Sequence, residues 1–130
     1  MSEETLKEHV IDQGEPFSWW FAVRYPDGEV ADLIADGYPH ARFVVIPAYG
    51  EDPVIDVSDA DYIHVERVYD APAGDPGRMQ WSGYIEIPAS ITAALSPWGR
   101  GLYELRVENG AGDFVPVDKG TAILERKVIP

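Results

Sequence analysis

The sequence predicts an all-β protein, a single antiparallel β-sandwich of immunoglobulin-like or jelly-roll-like type, with about eight short strands and one short helix near Ser90–Leu95. Three observations carry that expectation. Apolar and polar residues alternate with a period of two in several segments, the signature of strands with one face buried. Turn residues recur every eight to twelve positions, the spacing of sandwiches and barrels. The last third, Leu102 to Val107, then Asn109-Gly110, then Phe114 to Val117 and Gly120 to Val128, repeats the strand-and-turn grammar of Ser18 to Tyr25 with Asp27-Gly28.

Thr5 to Ile11 mixes apolar and charged residues and reads as an edge strand, broken by Gln13-Gly14-Glu15-Pro16. In Ser18 to Tyr25 the residues Trp19, Phe21, Val23 and Tyr25 alternate with Ser18, Trp20, Ala22 and Arg24, so the first set is expected in the core and Trp20 outside it. Pro26-Asp27-Gly28 ends that strand. Ala41 to Ile46 is almost continuously apolar and is expected as a central strand covered on both faces. Val54 to Val57 is a short strand of the kind that borders a sheet.

Tyr62 to Tyr69 follows as a strand, with Ile63, Val65 and Tyr69 on one face and Tyr62, His64, Glu66 and Val68 on the other. Asp70 to Gly77 is too dense in Pro and Gly for regular structure and reads as an exposed, contact-making loop. Met79 to Ile87 alternates again, with Trp81, Ile85 and Ile87 sharing a face. Ser90 can cap one or two helical turns that Pro97 stops. The closing hairpin turns at Asn109-Gly110 or slightly beyond, and Asp118-Lys119-Gly120 reads as a further turn into the final strand.

A chain of 130 residues fits one domain, 1–130, with residues 1–4 expected as a flexible tail. The hydrophobic fraction of 45%, with four Trp, seven Tyr and four Phe, is enough for a core and unlike a disordered segment. With no cysteine, the core needs no disulfide and thiolate chemistry is excluded. No signal-peptide pattern opens the sequence and no apolar run reaches membrane-spanning length, so no membrane partner is expected. The net charge of −13, with the ten basic residues scattered singly, opposes nucleic-acid binding.

Candidate chemistry is sparse. His9, His40 and His64 lie at no metal-binding interval and read as surface or loop residues. Asp56, Asp59 and Asp61, below Glu51 and Asp52, form the densest acidic cluster and are the only calcium candidate, although the spacing departs from an EF-hand loop. No serine lies in a Gly-x-Ser-x-Gly elbow and no phosphate-cradling loop is present, so neither catalysis nor a cofactor is expected. What remains are aromatics expected off the core: Trp20, Tyr62, Tyr84 and Trp98, which suit protein interfaces or sugar stacking.

The order of elements resembles a family of small β-sandwich domains from tailed bacteriophages, the N-terminal domain of upper baseplate proteins and the LtfC-type tail-associated sandwich of actinobacterial phages. The resemblance is carried by Phe17 to Tyr25, by Asp27-Gly28 with Ala31-Asp32-Leu33, by Ala41 to Ile46, by Gly83 to Pro88 running into Ile91 to Leu95, and by Leu102 to Val107, Asn109-Gly110 and Gly120-Thr121-Ala122 leading to Val128. The insertion at Asp70 to Gly77 and the end at Pro130, without a fibre or coiled-coil extension, depart from that pattern.

The resemblance implies a non-enzymatic virion structural protein of tail, baseplate or fibre-attachment collar. It would be made in the host cytoplasm and assemble with other virion proteins, as a homo-oligomer of three-fold or six-fold symmetry. Edge strands at Thr5 to Ile11 and Thr121 to Ile129 are the expected docking sites, with Glu125, Arg126 and Lys127 setting register. Two alternatives stand beside it: a capsid decoration protein, and a carbohydrate-binding module for host wall glycans using Trp20 and Trp98.

Overall fold

The computed structural model describes residues 8–70, 78–95 and 99–125. In chain order these form β1 (Glu8–Asp12), β2 (Phe17–Phe21), β3 (His40–Ile46), β4 (Ile55–Ser58), β5 (Ile63–Asp70), β6 (Arg78–Ile87), α1 (Ala89–Ala93), β7 (Arg100–Glu108) and β8 (Phe114–Glu125). A five-stranded sheet in the order β1-β8-β7-β3-β4 packs on a three-stranded sheet, β2-β6-β5. The expected all-β sandwich is therefore the fold. Among the described residues every strand pairing is antiparallel except β1 with β8, where Glu8 faces Thr121 and Asp12 faces Glu125 in parallel register.

The core forms where the inner faces of the two sheets meet, and strict alternation builds it. On β3 the buried residues are Ala41, Phe43 and Val45; on β7 they are Tyr103, Leu105 and Val107. Opposite them β2 contributes Phe17 and Phe21, and β6 contributes Ile85 and Ile87. Each such large side chain stabilises the fold by about 1.5–3 kcal/mol relative to exposure. His9, Phe17, Trp19, Phe43 and Tyr103 form one aromatic cluster, with His9 4.2 Å from Trp19 and 4.9 Å from Tyr103 between ring centroids. His9 thus packs inside the sandwich, because it shares the inward parity of the buried Ile11 on β1.

Two buried hydroxyls tie irregular chain to the sheets. Ser82 on β6 donates to the Ala31 carbonyl at 2.9 Å and accepts from the Val23 N–H at 3.0 Å, pinning the Val23–Ala31 excursion. Thr92 on α1, fully buried, donates to the Glu15 carbonyl at 2.7 Å and accepts from the Gly14 N–H at 3.1 Å, fixing the β1–β2 turn. Gly83 lies where a Cβ would collide with the His64 carbonyl and the Phe21 ring, so β5 and β6 pair closely because that side chain is absent.

Several local expectations give way to the fold. β2 stops at Phe21, and Tyr25 turns out to solvent with its hydroxyl on Asp36. Ser90 makes no cap; Pro88 holds the N-cap position of α1 without a side-chain hydrogen bond. Asp118-Lys119-Gly120 is no turn, since β8 runs unbroken from Phe114 to Glu125 and the irregularity is taken up as a register shift at Leu105/Arg106. The closing turn spans 109–113, where Asn109 Oδ1 accepts from the Ala111 and Asp113 N–H groups and Gly112 adopts φ 90°. Thr121–Glu125 is not an edge either, because β1 occupies its second side; among the described residues the edges of the larger sheet are β1 and β4. β3 is internal, but its outer side chains Val44 and Ile46 are only half-buried. The loop expected at Asp70 to Gly77, the tail at 1–4, Trp98, Arg126 and Lys127 lie wholly or mainly outside the described residues.

Candidate functional site

On the outer face of the three-stranded sheet, strand register gathers three rings. Trp20 on β2 is opposite Tyr84 on β6, and Tyr84 is opposite His64 on β5. The Trp20 and Tyr84 rings stack at 4.5 Å, and the His64 and Tyr84 rings at 4.6 Å. These spacings match the roughly 4.8 Å between neighbouring strands, so the rings stand as parallel plates across the sheet. Tyr84 in the middle is covered on both faces, and Trp20 and His64 on one face each. Trp20 is 41% exposed.

Glu66 and Glu86 flank this ridge. Desolvation by its neighbours, followed by the nearby Glu66 carboxylate and then that of Glu86, pushes the Tyr84 phenol above its usual range. Tyr62 occupies the outward position opposite Glu86 at the mouth of β5, but it is half-buried and packs against the core. It is thus less accessible than Trp20.

The outer face of the five-stranded sheet is concave, with a cavity of about 470 Å³. Val44, Ile46 and Leu102 form its apolar floor, and Tyr49, 87% exposed, stands at its wall. Arg42, Glu104, Arg106 and Lys119 supply its charge. Arg42 is directly opposite Arg106 across β3 and β7, a like-charged pair that opposes pairing unless neutralised. Neutralisation comes from each side. Asp56 takes Arg42 Nε at 2.8 Å and Nη2 at 2.5 Å, while Glu108 lies 3.0 Å from Arg106 Nε and the Phe114 ring lies 4.6 Å from its guanidinium carbon. The Asp56 hydrogen bond raises the Arg42 guanidinium still further, and the same bond holds the Asp56 carboxyl below its ordinary range.

This trough was not legible in the chain, where the basic residues are scattered singly. Its signal is the outward parity of residues 42, 44 and 46 on β3 and of 102, 104 and 106 on β7, combined with a register that no single strand reveals. The same holds for His64, whose place beside Tyr84 depends on how β5 meets β6.

The acidic cluster is dispersed by its bonds. Asp56 is held by Arg42, Asp59 accepts from His40 Nδ1 at 2.8 Å and the Ala41 N–H at 3.1 Å, and Asp61 accepts the Ser58 and Tyr62 N–H groups at 2.7 Å each. Among the described residues no three His, Asp or Glu side chains are grouped as metal ligands, so Asp56, Asp59 and Asp61 do not form the calcium site their spacing suggested. Burial acts to raise Asp59, but the His40 and Ala41 hydrogen bonds outweigh it and the carboxyl titrates below its usual range. Among the described residues no hydroxyl is hydrogen-bonded to the His40–Asp59 pair, which fastens the start of β3 to the turn after β4. Glu125 ends β8, exposed, with its backbone carbonyl accepting from the Gln13 N–H. Among the described residues no helix is long and apolar enough to cross a membrane.

No family model and no curated protein matches the sequence. Among solved structures, a mutant of the SrpA adhesin from Streptococcus sanguinis is similar at 11% identity and a TM-score of 0.39, over 95% of this chain and 56% of that one. The sialic acid binding region of a Streptococcus sanguinis adhesin is similar at 17% identity and 0.35, over 93% of this chain and 28% of that one. Tim-1 is similar at 17% identity and 0.37, over 98% and 99%. The chain thus spans just over half of the first adhesin structure and under a third of the second. Superpositions this loose bear on neither the ligand nor the function of this chain.

Proposed function

We propose that this chain is a non-enzymatic structural protein of a tailed-phage virion, a tail, baseplate or fibre-attachment component that works through its outer sheet faces as a homo-oligomer. The ordered resemblance from Phe17 to Val128 supports the virion placement. The observation that carries the mode of action is the ridge of Trp20, Tyr84 and His64. Its central ring, Tyr84, is covered on both faces by its neighbours, and the exposed Trp20 indole stands beside the flanking carboxylates of Glu66 and Glu86. An aromatic edge lined by carboxylates suits insertion into a partner protein, where such residues dominate binding.

Quantitative mass spectrometry of purified virions tests the placement. A copy number that is a small multiple of three or six is expected. Hundreds of copies would make the chain a head decoration protein, and absence from the particle would overturn the virion reading. Saturable binding of cell-wall glycans that is lost in Trp20→Ala would instead return the carbohydrate-binding reading.

A further inference from the structure

Among the described residues the sandwich has β1 and β4 as the edges of its larger sheet and β2 and β5 as those of the smaller. An open edge can add a strand from another chain, and charged side chains, bulges and shortness are what prevent it. β1 carries Glu8 and Asp12, β4 is four residues long and carries Asp56, and β5 carries Glu66 within a bulge between Val65 and Val68. β2, the run Phe17-Ser18-Trp19-Trp20-Phe21, has none of these protections. On a chain of net charge −13 it is an uncharged edge with unbroken register from end to end.

Which backbone groups β2 offers follows from its neighbour. The Glu86 N–H donates to the Tyr62 carbonyl, on the β5 side of β6. Glu86 and Ser18, opposite each other, are therefore a non-hydrogen-bonded pair, and so are Tyr84 and Trp20 two residues along. Phe17, Trp19 and Phe21 direct their main-chain groups to β6, whereas those of Ser18 and Trp20 point away from it. The Val23 N–H, which donates to the Ser82 hydroxyl on β6, keeps the same parity. That open side of β2 also holds the uncovered face of the Trp20 indole, since Tyr84 covers the other.

We infer that β2 of one copy pairs antiparallel with β2 of a second copy about a two-fold axis at Trp19, joining two three-stranded sheets into one continuous sheet. The inference deepens the homo-oligomer part of the proposed function and rests on it. In this register Ser18 faces Trp20 of the second copy, each N–H donating to the other's carbonyl, and the two-fold repeats the exchange. Every main-chain group that Ser18 and Trp20 offer is then used. A symmetric pair needs a strand that complements itself, and Ser18 and Trp20, equidistant from Trp19, meet that condition. On the outer face each indole lies over the small Ser18 of the other copy, and the two indoles reach one another on the diagonal. The edge carries no charge, so two acidic copies can approach there without setting carboxylates against each other.

The consequence for assembly is specific. A contact that uses the same patch on both copies closes on itself at the pair. Pairs repeated about a three-fold axis give a six-copy species, whereas a ring of three copies has no place for the contact.

Amide hydrogen exchange of the whole wild-type chain, read by NMR at rising concentration beside sedimentation velocity, tests the contact atom by atom. The Trp19 N–H, bonded to β6, is expected to be protected at every concentration. Those of Ser18 and Trp20 are expected to exchange at least about tenfold more slowly once the chain associates than in the dilute monomer. Ser18→Pro removes one offered N–H and no bond to β6, at an edge position where proline is tolerated. It is expected to keep the melting temperature of the dilute wild type and lose the pair, while Ser18→Ala keeps both; if Ser18→Pro does not fold, the exchange of the wild type still decides. Salt screens the repulsion between acidic copies, so the pair is expected to tighten as salt is added. Oligomers whose Ser18 and Trp20 amides exchange as in the monomer, a folded Ser18→Pro that pairs like wild type, or a closed species of three copies overturn this contact and leave the homo-oligomer standing. Wild type that stays at 14.4 kDa at every concentration overturns both.

Discussion

Trp20 on β2 and Tyr84 on β6 stand opposite each other in register with their rings stacked at 4.5 Å on the outside of the sandwich. Aromatic cross-strand pairs contribute about 0.5–1.5 kcal/mol beyond their burial, a modest share for rings so open to water. Trp20→Ala is therefore expected to lower the melting temperature by only a few degrees. If the ridge is a docking element, the same variant loses assembly outright. Differential scanning calorimetry and sedimentation on one sample separate the two effects, and a collapse of the fold in Trp20→Ala would show that the ridge serves the core.

Gly83 is expected to be the least tolerant glycine among the described residues. A Cβ there meets the His64 carbonyl and the Phe21 ring, and neither can move without shifting β5 or reopening the core. Overpacking of this kind costs about 1–3 kcal/mol or more. Gly83→Ala should lower the unfolding free energy from urea titration by that amount, while Gly110→Ala, which meets open space, should leave it almost unchanged.

Thr92→Val keeps the shape of a fully buried side chain and removes its hydroxyl. The Gly14 N–H and the Glu15 carbonyl then lose the Thr92 hydroxyl, at about 0.5–1.5 kcal/mol for each hydrogen bond removed. Thr92→Ser retains the hydroxyl and gives up only a methyl group. Chemical denaturation should rank wild type above Thr92→Ser above Thr92→Val; equal stability of Val and Thr would show that the turn at residues 13–16 is held by something else.

Acid should weaken the fold through two carboxylates. Asp56 and Asp59 both titrate below their ordinary value in the folded chain, Asp56 because of Arg42 and Asp59 because His40 and the Ala41 N–H outweigh its burial. Their contribution is thus fully present above the unfolded carboxylate value of about 3.9 and is lost as pH falls through the lower folded values. Asp56 is 41% exposed, so solvent reduces its share. Melting temperatures between pH 7 and pH 2.5 should fall steeply below about pH 4. Asp59→Asn should start lower and fall less, and an unchanged acid limb in that variant would contradict the assignment.

Periodicity was enough to read which residues of each strand face inward, because alternation on a pleated sheet leaves a mark on every second position. Phe43, Ile85 and Leu105 are buried as that pattern requires, and Trp20 is outside. Register and partner choice leave no such mark. Nothing in Glu8–Asp12 says that it adds in parallel to the end of β8, which removes the docking edge expected at Thr121. Nor does Lys119-Gly120 reveal that β8 runs straight through a sequence with turn composition, its one extra residue, Val117, taken up as a bulge opposite Leu105 and Arg106. The functional surfaces suffered most from this gap, since the ridge needs β2, β6 and β5 in register and the trough needs β3, β7 and β8. Individual residues such as Tyr84 and Trp20 could be named from the chain, whereas the place of His64 beside them, and of Val44 and Leu102 in the trough on the other sheet, could not.

The most direct test of assembly through the sheet faces is sedimentation equilibrium of the wild-type chain over a wide concentration range at low and high salt. The expected result is a mass rising from 14.4 kDa to a closed species of three or six copies. A chain that remains at 14.4 kDa throughout, whatever the salt, would contradict the account.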